Sequence, residues 1–125
     1  PQITQKIKSA LTKVRKGVKH KFATNEHREA SHYLEKGRQK YNSKDYKTAD
    51  KFFRKAIHSD NHYAMAHYYL GLSQYKLKDS QAALRYWNIA INLDPNSKIA
   101  IKADQKIQDH KQRTKHSVDQ LQDRL

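Results

Sequence analysis

The stretch SKDYKTADKFFRKAI, from Ser43 to Ile57, returns in altered form as LKDSQAALRYWNIAI from Leu77 to Ile91, an offset of 34 residues. At that offset Gly37 pairs with Gly71, Tyr41 with Tyr75 and Lys44-Asp45 with Lys78-Asp79. Ala49 pairs with Ala83, Phe53 with Trp87, Ala56-Ile57 with Ala90-Ile91 and Asp60 with Asp94. Small residues match small ones and rings match rings, so what repeats is a way of filling space. A fixed period of roughly 20 to 50 residues marks stacked supersecondary units, none of which buries its apolar face alone.

Each copy reads as two helices. Residues 30–42, 46–58, 64–77 and 80–93 lack proline and carry apolar groups at helical spacing. The polar pairs Lys44-Asp45 and Lys78-Asp79 fit the short turn between antiparallel helices, with the aspartate or its successor as a cap. Gly37, Gly71, Ala49 and Ala83 are small where paired helices approach, and Phe53 and Trp87 fill the space between one hairpin and the next. Asp94-Pro95 ends the second copy, because proline lacks a backbone donor and disfavours helix in the residue before it.

These residues resemble the tetratricopeptide repeat family. Its pattern W-x2-L-G-x2-Y, A-x3-F and P appears as His67-x2-Leu70-Gly71, Ala83-x3-Trp87 and Pro95. The first copy has Tyr33-x2-Lys36-Gly37 and Ala49-x3-Phe53, with Asn61 in the proline slot. Both copies place the tyrosine one residue late, at Tyr41 and Tyr75, and put Lys40 and Gln74 in the expected slot. Lys36 in place of leucine suggests that the opening face of the first hairpin is less buried. The resemblance covers residues 30–97 and implies an all-α fold of antiparallel hairpins, 30–63 and 64–97, stacked as a short solenoid with extra helices at both ends.

The resemblance also implies a binding module, in which the first helix of each hairpin lines a concave groove that holds a peptide or helix of a partner protein. Carried over position by position, the groove candidates are Leu34, Arg38, Tyr41 and Asn42, then Met65, Tyr68, Leu72, Tyr75 and Lys76. Aromatic and arginine side chains are common interface anchors, although Tyr41 and Tyr75 serve equally well as covers for the hairpin core. One branch of the family clamps an acidic C-terminal tail with a lysine and an asparagine on its first groove helix. Leu34 and Arg38 stand at those places, so that clamp is not reproduced.

Two hairpins fall short of the roughly three repeats that a stacked array needs, so the flanks must supply caps. Residues 98–125 contain no Gly or Pro; Ser97 is placed to cap a helix in which Ile99, Ile101, Ala103 and Ile107 pack on the second hairpin. Beyond Ile107 a polar run carries Val118, Leu121 and Leu125 on one side, either as a solvated tail or as a self-association stripe.

At the other end, residues 1–24 form a separate basic segment. Ile3, Ile7, Leu11, Val14, Val18 and Phe22 fall on one helical stripe. Lys6, Lys8, Lys13, Arg15, Lys16, Lys19 and Lys21 lie off it, and no acid precedes Glu26. Asn25 then reads as the cap of the next helix. A first reading packs residues 1–22 on the hairpin near Tyr33 and Phe52. A second uses them to bind an anionic membrane surface, which explains the missing acids as well as the stripe. An organellar targeting peptide is disfavoured by lysine in place of arginine.

The formal net charge is +14, a statement about partners and not about fold. Residues 30–97 contribute +5 of it, from eleven Lys/Arg against six Asp/Glu, and sequence-blind nucleic-acid binding is the main alternative to a protein adaptor. A purely structural subunit of an assembly is the second alternative. With no cysteine, no phosphate-binding glycine loop and no nucleophile in a motif, the chain reads as non-enzymatic and without cofactor. His58, His62 and His67 are spaced too loosely for a metal site. No secretory apolar segment or membrane-length apolar run occurs, so the expected location is cytoplasmic, at a membrane periphery if residues 1–22 act as a tether. Pro1 is compatible with a small protein that has lost its initiator methionine and equally with a piece of a longer chain.

Overall fold

The computed structural model describes residues 24–125. They form α1 (Asn25–Asn42), α2 (Tyr46–Ser59), α3 (Ala64–Lys76), α4 (Ser80–Leu93) and α5 (Lys98–Arg124). Helices α1 and α2 pair as one hairpin and α3 and α4 as the next; α3 packs on α2, and α5 covers α4. The fold is therefore all-α, and its hairpins follow each other as the 34-residue offset requires. None of the described helices is long and apolar enough to cross a membrane.

The repeated Lys-Asp pair has a local cause. At the end of α1 the Asp45 N–H reaches the Lys40 carbonyl at 2.9 Å and the Lys44 N–H reaches Tyr41 at 3.0 Å. The same pair recurs from Asp79 to Gln74 and from Lys78 to Tyr75. Such closure wraps the last carbonyls around a residue in the left-handed region, and Lys44 and Lys78 have φ of 66° and 73°. The aspartate that follows then caps the next helix: Asp45 accepts from the Thr48 N–H and Asp79 from the Ala82 N–H. One dipeptide thus stops a helix and starts its partner.

Across each hairpin a ring lies on a glycine. A Cβ added to Gly71 would stand 2.5 Å from Trp87 Nε1 and 3.2 Å from the Ala83 carbonyl oxygen, and Gly37 is covered by Phe53 in the same way. Phe53 joins Ala30, Leu34, Ala49, Ala56, Ala66 and Leu70 in one core, whereas Trp87 joins Tyr68, Ala83, Ala90, Ala103 and Ile107 in the next. The indole N–H of Trp87 donates to the Tyr68 carbonyl at 3.2 Å, so its polar edge is satisfied inside the core.

Gln74, in the slot where the family pattern has tyrosine, is explained by the seam between hairpins. It is buried and donates to Asp50 of α2 at 2.5 Å. Asp50 also accepts from Arg54 Nε at 2.6 Å, and Arg54 Nη1 donates to the Tyr86 hydroxyl at 3.2 Å. A second polar link ties the start of α1 to the inter-hairpin loop, with His27 Nδ1 at 2.9 Å from Asp60 and the His62 N–H donating to the same carboxylate. Burial acts to raise the Asp60 pKa, but these hydrogen bonds outweigh it and hold the group below the ordinary aspartate value.

Two sequence expectations are corrected. The cap of α1 is Thr24, whose hydroxyl accepts from the His27 N–H at 3.1 Å, and Asn25 is already helical. On α5, Ala100 replaces Ile101 in the packed stripe: Ala100, Ala103 and Ile107 are buried while Ile101 is 70% exposed. A residue one position along a helix is turned by about 100°, which carries Ile101 off the face that its neighbour buries. Ser97 caps α5 as its sequence suggests, accepting from the Ala100 N–H at 3.1 Å.

Three measurements follow from this geometry. Lys78→Gly relieves a left-handed lysine, so it is expected to raise unfolding free energy by roughly 0.5–1 kcal/mol in denaturant titration. Gly71→Ala forces Trp87 from its seat and should lower stability by about 1–3 kcal/mol. Because the folded pKa of Asp60 is depressed, its contribution is present above the unfolded value of about 3.9 and is lost as pH falls through the folded value. Asp60→Asn should therefore destabilise at neutral pH and flatten the acid limb of a stability profile.

Candidate functional site

The first helix of each hairpin and α5 enclose a concavity of about 110 Å3 lined by Tyr41, Leu72, Tyr75, Lys76, Trp87, Lys106, Asp109 and Arg113. Tyr41 comes from α1 and Leu72, Tyr75 and Lys76 from α3, where the hairpin geometry turns one row of each helix inwards. Lys106, Asp109 and Arg113 stand on α5 at spacings of 3 and 4, one helical row. That row runs beside the buried stripe of Ala103 and Ile107, so the residues that anchor α5 also aim its cations.

The floor is apolar and the rim is positive. Leu72 is half-buried, Trp87 is buried beneath it, and the Tyr75 ring lies 5.6 Å from the Trp87 ring. Arg113 Nη1 donates to the Tyr75 hydroxyl at 3.2 Å, and that hydroxyl stands 3.3 Å from His110 Nδ1. Burial, with smaller effects from Tyr46 and Tyr69, pushes the Tyr41 phenol above its ordinary pKa. The Tyr41 phenol therefore remains a neutral hydrogen-bonding group at physiological pH. Lys76, Lys106 and Arg113 face the single carboxylate of Asp109, which leaves an excess of positive charge at the mouth.

The other groove candidates fall elsewhere. Leu34 is 4% exposed and Tyr68 6%, so both spend their side chains on the cores and offer no surface to a partner. Burial raises the Tyr68 pKa as well. Met65 is half-buried against the first core, and Asn42 is exposed at the end of α1. Arg38 is exposed, with its guanidinium 5.3 Å from the Tyr69 ring centre and 3.7 Å from Glu35. The basic candidates Lys6, Lys8, Lys13, Arg15, Lys16, Lys19 and Lys21 lie outside the described residues.

Lys106, Asp109 and Arg113 were not among the sequence candidates, because α5 reads as a cap and a cap is expected to bury one stripe and nothing more. The available signal was a charged row adjacent to that stripe. Among the described residues no three His, Cys, Asp or Glu side chains converge on a metal position. His67 of α3 instead places Nε2 at 3.0 Å from the carbonyl oxygen of Asn61 in the preceding loop.

Residues 64–97 match the family model of the tetratricopeptide repeat. The matched span begins at Ala64, contains α3 and α4 and continues through Pro95. A comparison with curated proteins found no match. Helices α3 and α4 are thus a tetratricopeptide repeat, set in an all-α stack of hairpins consistent with a short tetratricopeptide array.

Proposed function

We propose that this chain is a non-catalytic interaction module that seats a segment of a partner protein between α3 and α5, with residues 1–22 as a tether to an anionic surface. The repeat supports protein binding in general. The observation that carries the finer reading is the convergence of Tyr41, Leu72, Tyr75 and Lys76 with Lys106 and Arg113 around one concavity. An apolar floor and a cationic rim suit a segment with an acidic side chain beside an apolar one. The aromatic floor contributes contact area at little entropic cost, since each ring has few rotamers to lose. The rim charges speed encounter and set orientation more than they add affinity.

A library of displayed peptides selected on the intact protein tests this. Acidic sequences should be enriched, and a selected peptide should bind the Lys106→Glu/Arg113→Glu chain at least about tenfold more weakly, equivalent to about 1.4 kcal/mol. Enrichment of basic or neutral sequences, or binding indifferent to those two substitutions, would contradict the proposal.

A further inference from the structure

The two ends of the stack present different chemistry. On the C-terminal side, α5 lays Ala103 and Ile107 against the core of Ala83, Trp87 and Ala90. On the N-terminal side, the outward positions of α1 differ in kind from their counterparts one repeat later. In α3, Ala66, Leu70, Ser73 and Gln74 are buried; 34 residues earlier the same positions hold His32, Lys36, Gln39 and Lys40, all exposed. Tyr33 and Phe52 stack on this face with their centres 6.4 Å apart. The Lys36 ammonium lies 5.8 Å from the Phe52 centre, and that of Lys55 lies 5.6 Å from both rings. Lys51 extends the same row of α2 by one turn, and Lys40 that of α1. Acids also lie near these rows, Glu26 and Glu29 two turns and one turn before Tyr33 and Asp45 in the turn, against the four lysines Lys36, Lys40, Lys51 and Lys55.

The charge of residues 1–22 does not complement this face. Their seven Lys and Arg have no accompanying acid, and packing them against Lys36, Lys40, Lys51 and Lys55 would set like charges together around only two half-buried rings. Residues 1–22 precede Thr24, which caps α1, and carry charge of the same sign as this face. A lipid surface fits that charge better than nucleic acid does. The ring faces of Tyr33 and Phe52 already carry ammonium groups, which leaves little platform for a base. The aliphatic stripe from Ile3 to Phe22 gains nothing from a phosphate backbone but can be buried at a bilayer interface.

We infer that the end face of the first hairpin docks on an anionic lipid bilayer alongside residues 1–22, with Lys36, Lys40, Lys51 and Lys55 against the lipid phosphates. The inference rests on the tether reading above and adds a second, folded contact that orients the groove relative to the membrane. The test is co-sedimentation of the full chain with vesicles of phosphatidylcholine alone or mixed with phosphatidylserine, at physiological salt. The wild type should bind the mixed vesicles and not the neutral ones. Lys36→Gln/Lys55→Gln should weaken partition by about twentyfold, given the attraction of each surface lysine to an anionic leaflet, while Lys36→Arg/Lys55→Arg should retain it. Leu11→Asp/Val14→Asp should weaken it too.

If Lys36→Gln/Lys55→Gln partitions like the wild type while Leu11→Asp/Val14→Asp does not, the tether stands and the end-face contact is overturned. If the wild type binds neither vesicle, or binds single-stranded RNA and no vesicle, both fail. Matching thermal melts for the wild type and the two lysine variants would confine any difference to the surface.

Discussion

Everything in this stack depends on a ring seated where a side chain is missing. Trp87 occupies the space above Gly71, and the same arrangement puts Phe53 on Gly37. Burying a side chain of that size contributes about 1.5–3 kcal/mol, and close approach of the two helices lets small residues such as Ala49 and Ala83 complete the contact. Because the ring reaches across its hairpin and onward to the following helix, one residue type fixes both the pairing within a unit and the stacking between units. Trp87 makes the second connection explicit by touching Ala103 and Ile107 of α5 as part of one core. A helix with a largely polar sequence is thereby held against the array, and its charged row is delivered to the concave side.

The polar groups inside the stack follow the same economy of position. Asp50 sits between hairpins with Gln74 and Arg54 both donating to it, so a carboxylate at a nearly buried seam is left without an unmet acceptor. Removing one partner from such a set costs more than the set itself contributes, because the remaining group stays desolvated. The seam therefore specifies which face of α3 meets α2. Electrostatics outside the seam is of another kind, with lysines distributed over the end face, the mouth of the concavity and residues 1–22. Such charges interact through water and are screened over about 8 Å at physiological salt.

Much of the architecture was legible because its causes are local. Lys44-Asp45 and Lys78-Asp79 announce a turn through properties of two residues, and Ser97 and Pro95 mark a helix start and a helix stop in the same way. The alternation of glycine and ring is legible because it recurs. Side-chain facing is where legibility ended. Leu34 and Tyr68 belong to the cores and Ile101 to solvent, each decided by a rotation of one residue about a helix axis that only packing partners settle. The departure at Gln74 looked like a defect in the pattern until Asp50, 24 residues away, was brought beside it. The cations of α5 remained hidden for a related reason: their meaning comes from Tyr75 and Leu72 opposite, and a helix without a repeat partner gives no hint of what it will face.

The most direct test of the account is amide and side-chain chemical-shift mapping of the intact protein as an acidic, apolar-containing peptide is added. The account predicts saturable shifts at Tyr41, Leu72, Tyr75, Lys76, Lys106 and Arg113 and at the single tryptophan indole, with Tyr33 and Phe52 unmoved. Shifts centred on the first hairpin's end face, or none at saturating peptide, would contradict the claim that α3 and α5 together form the binding surface.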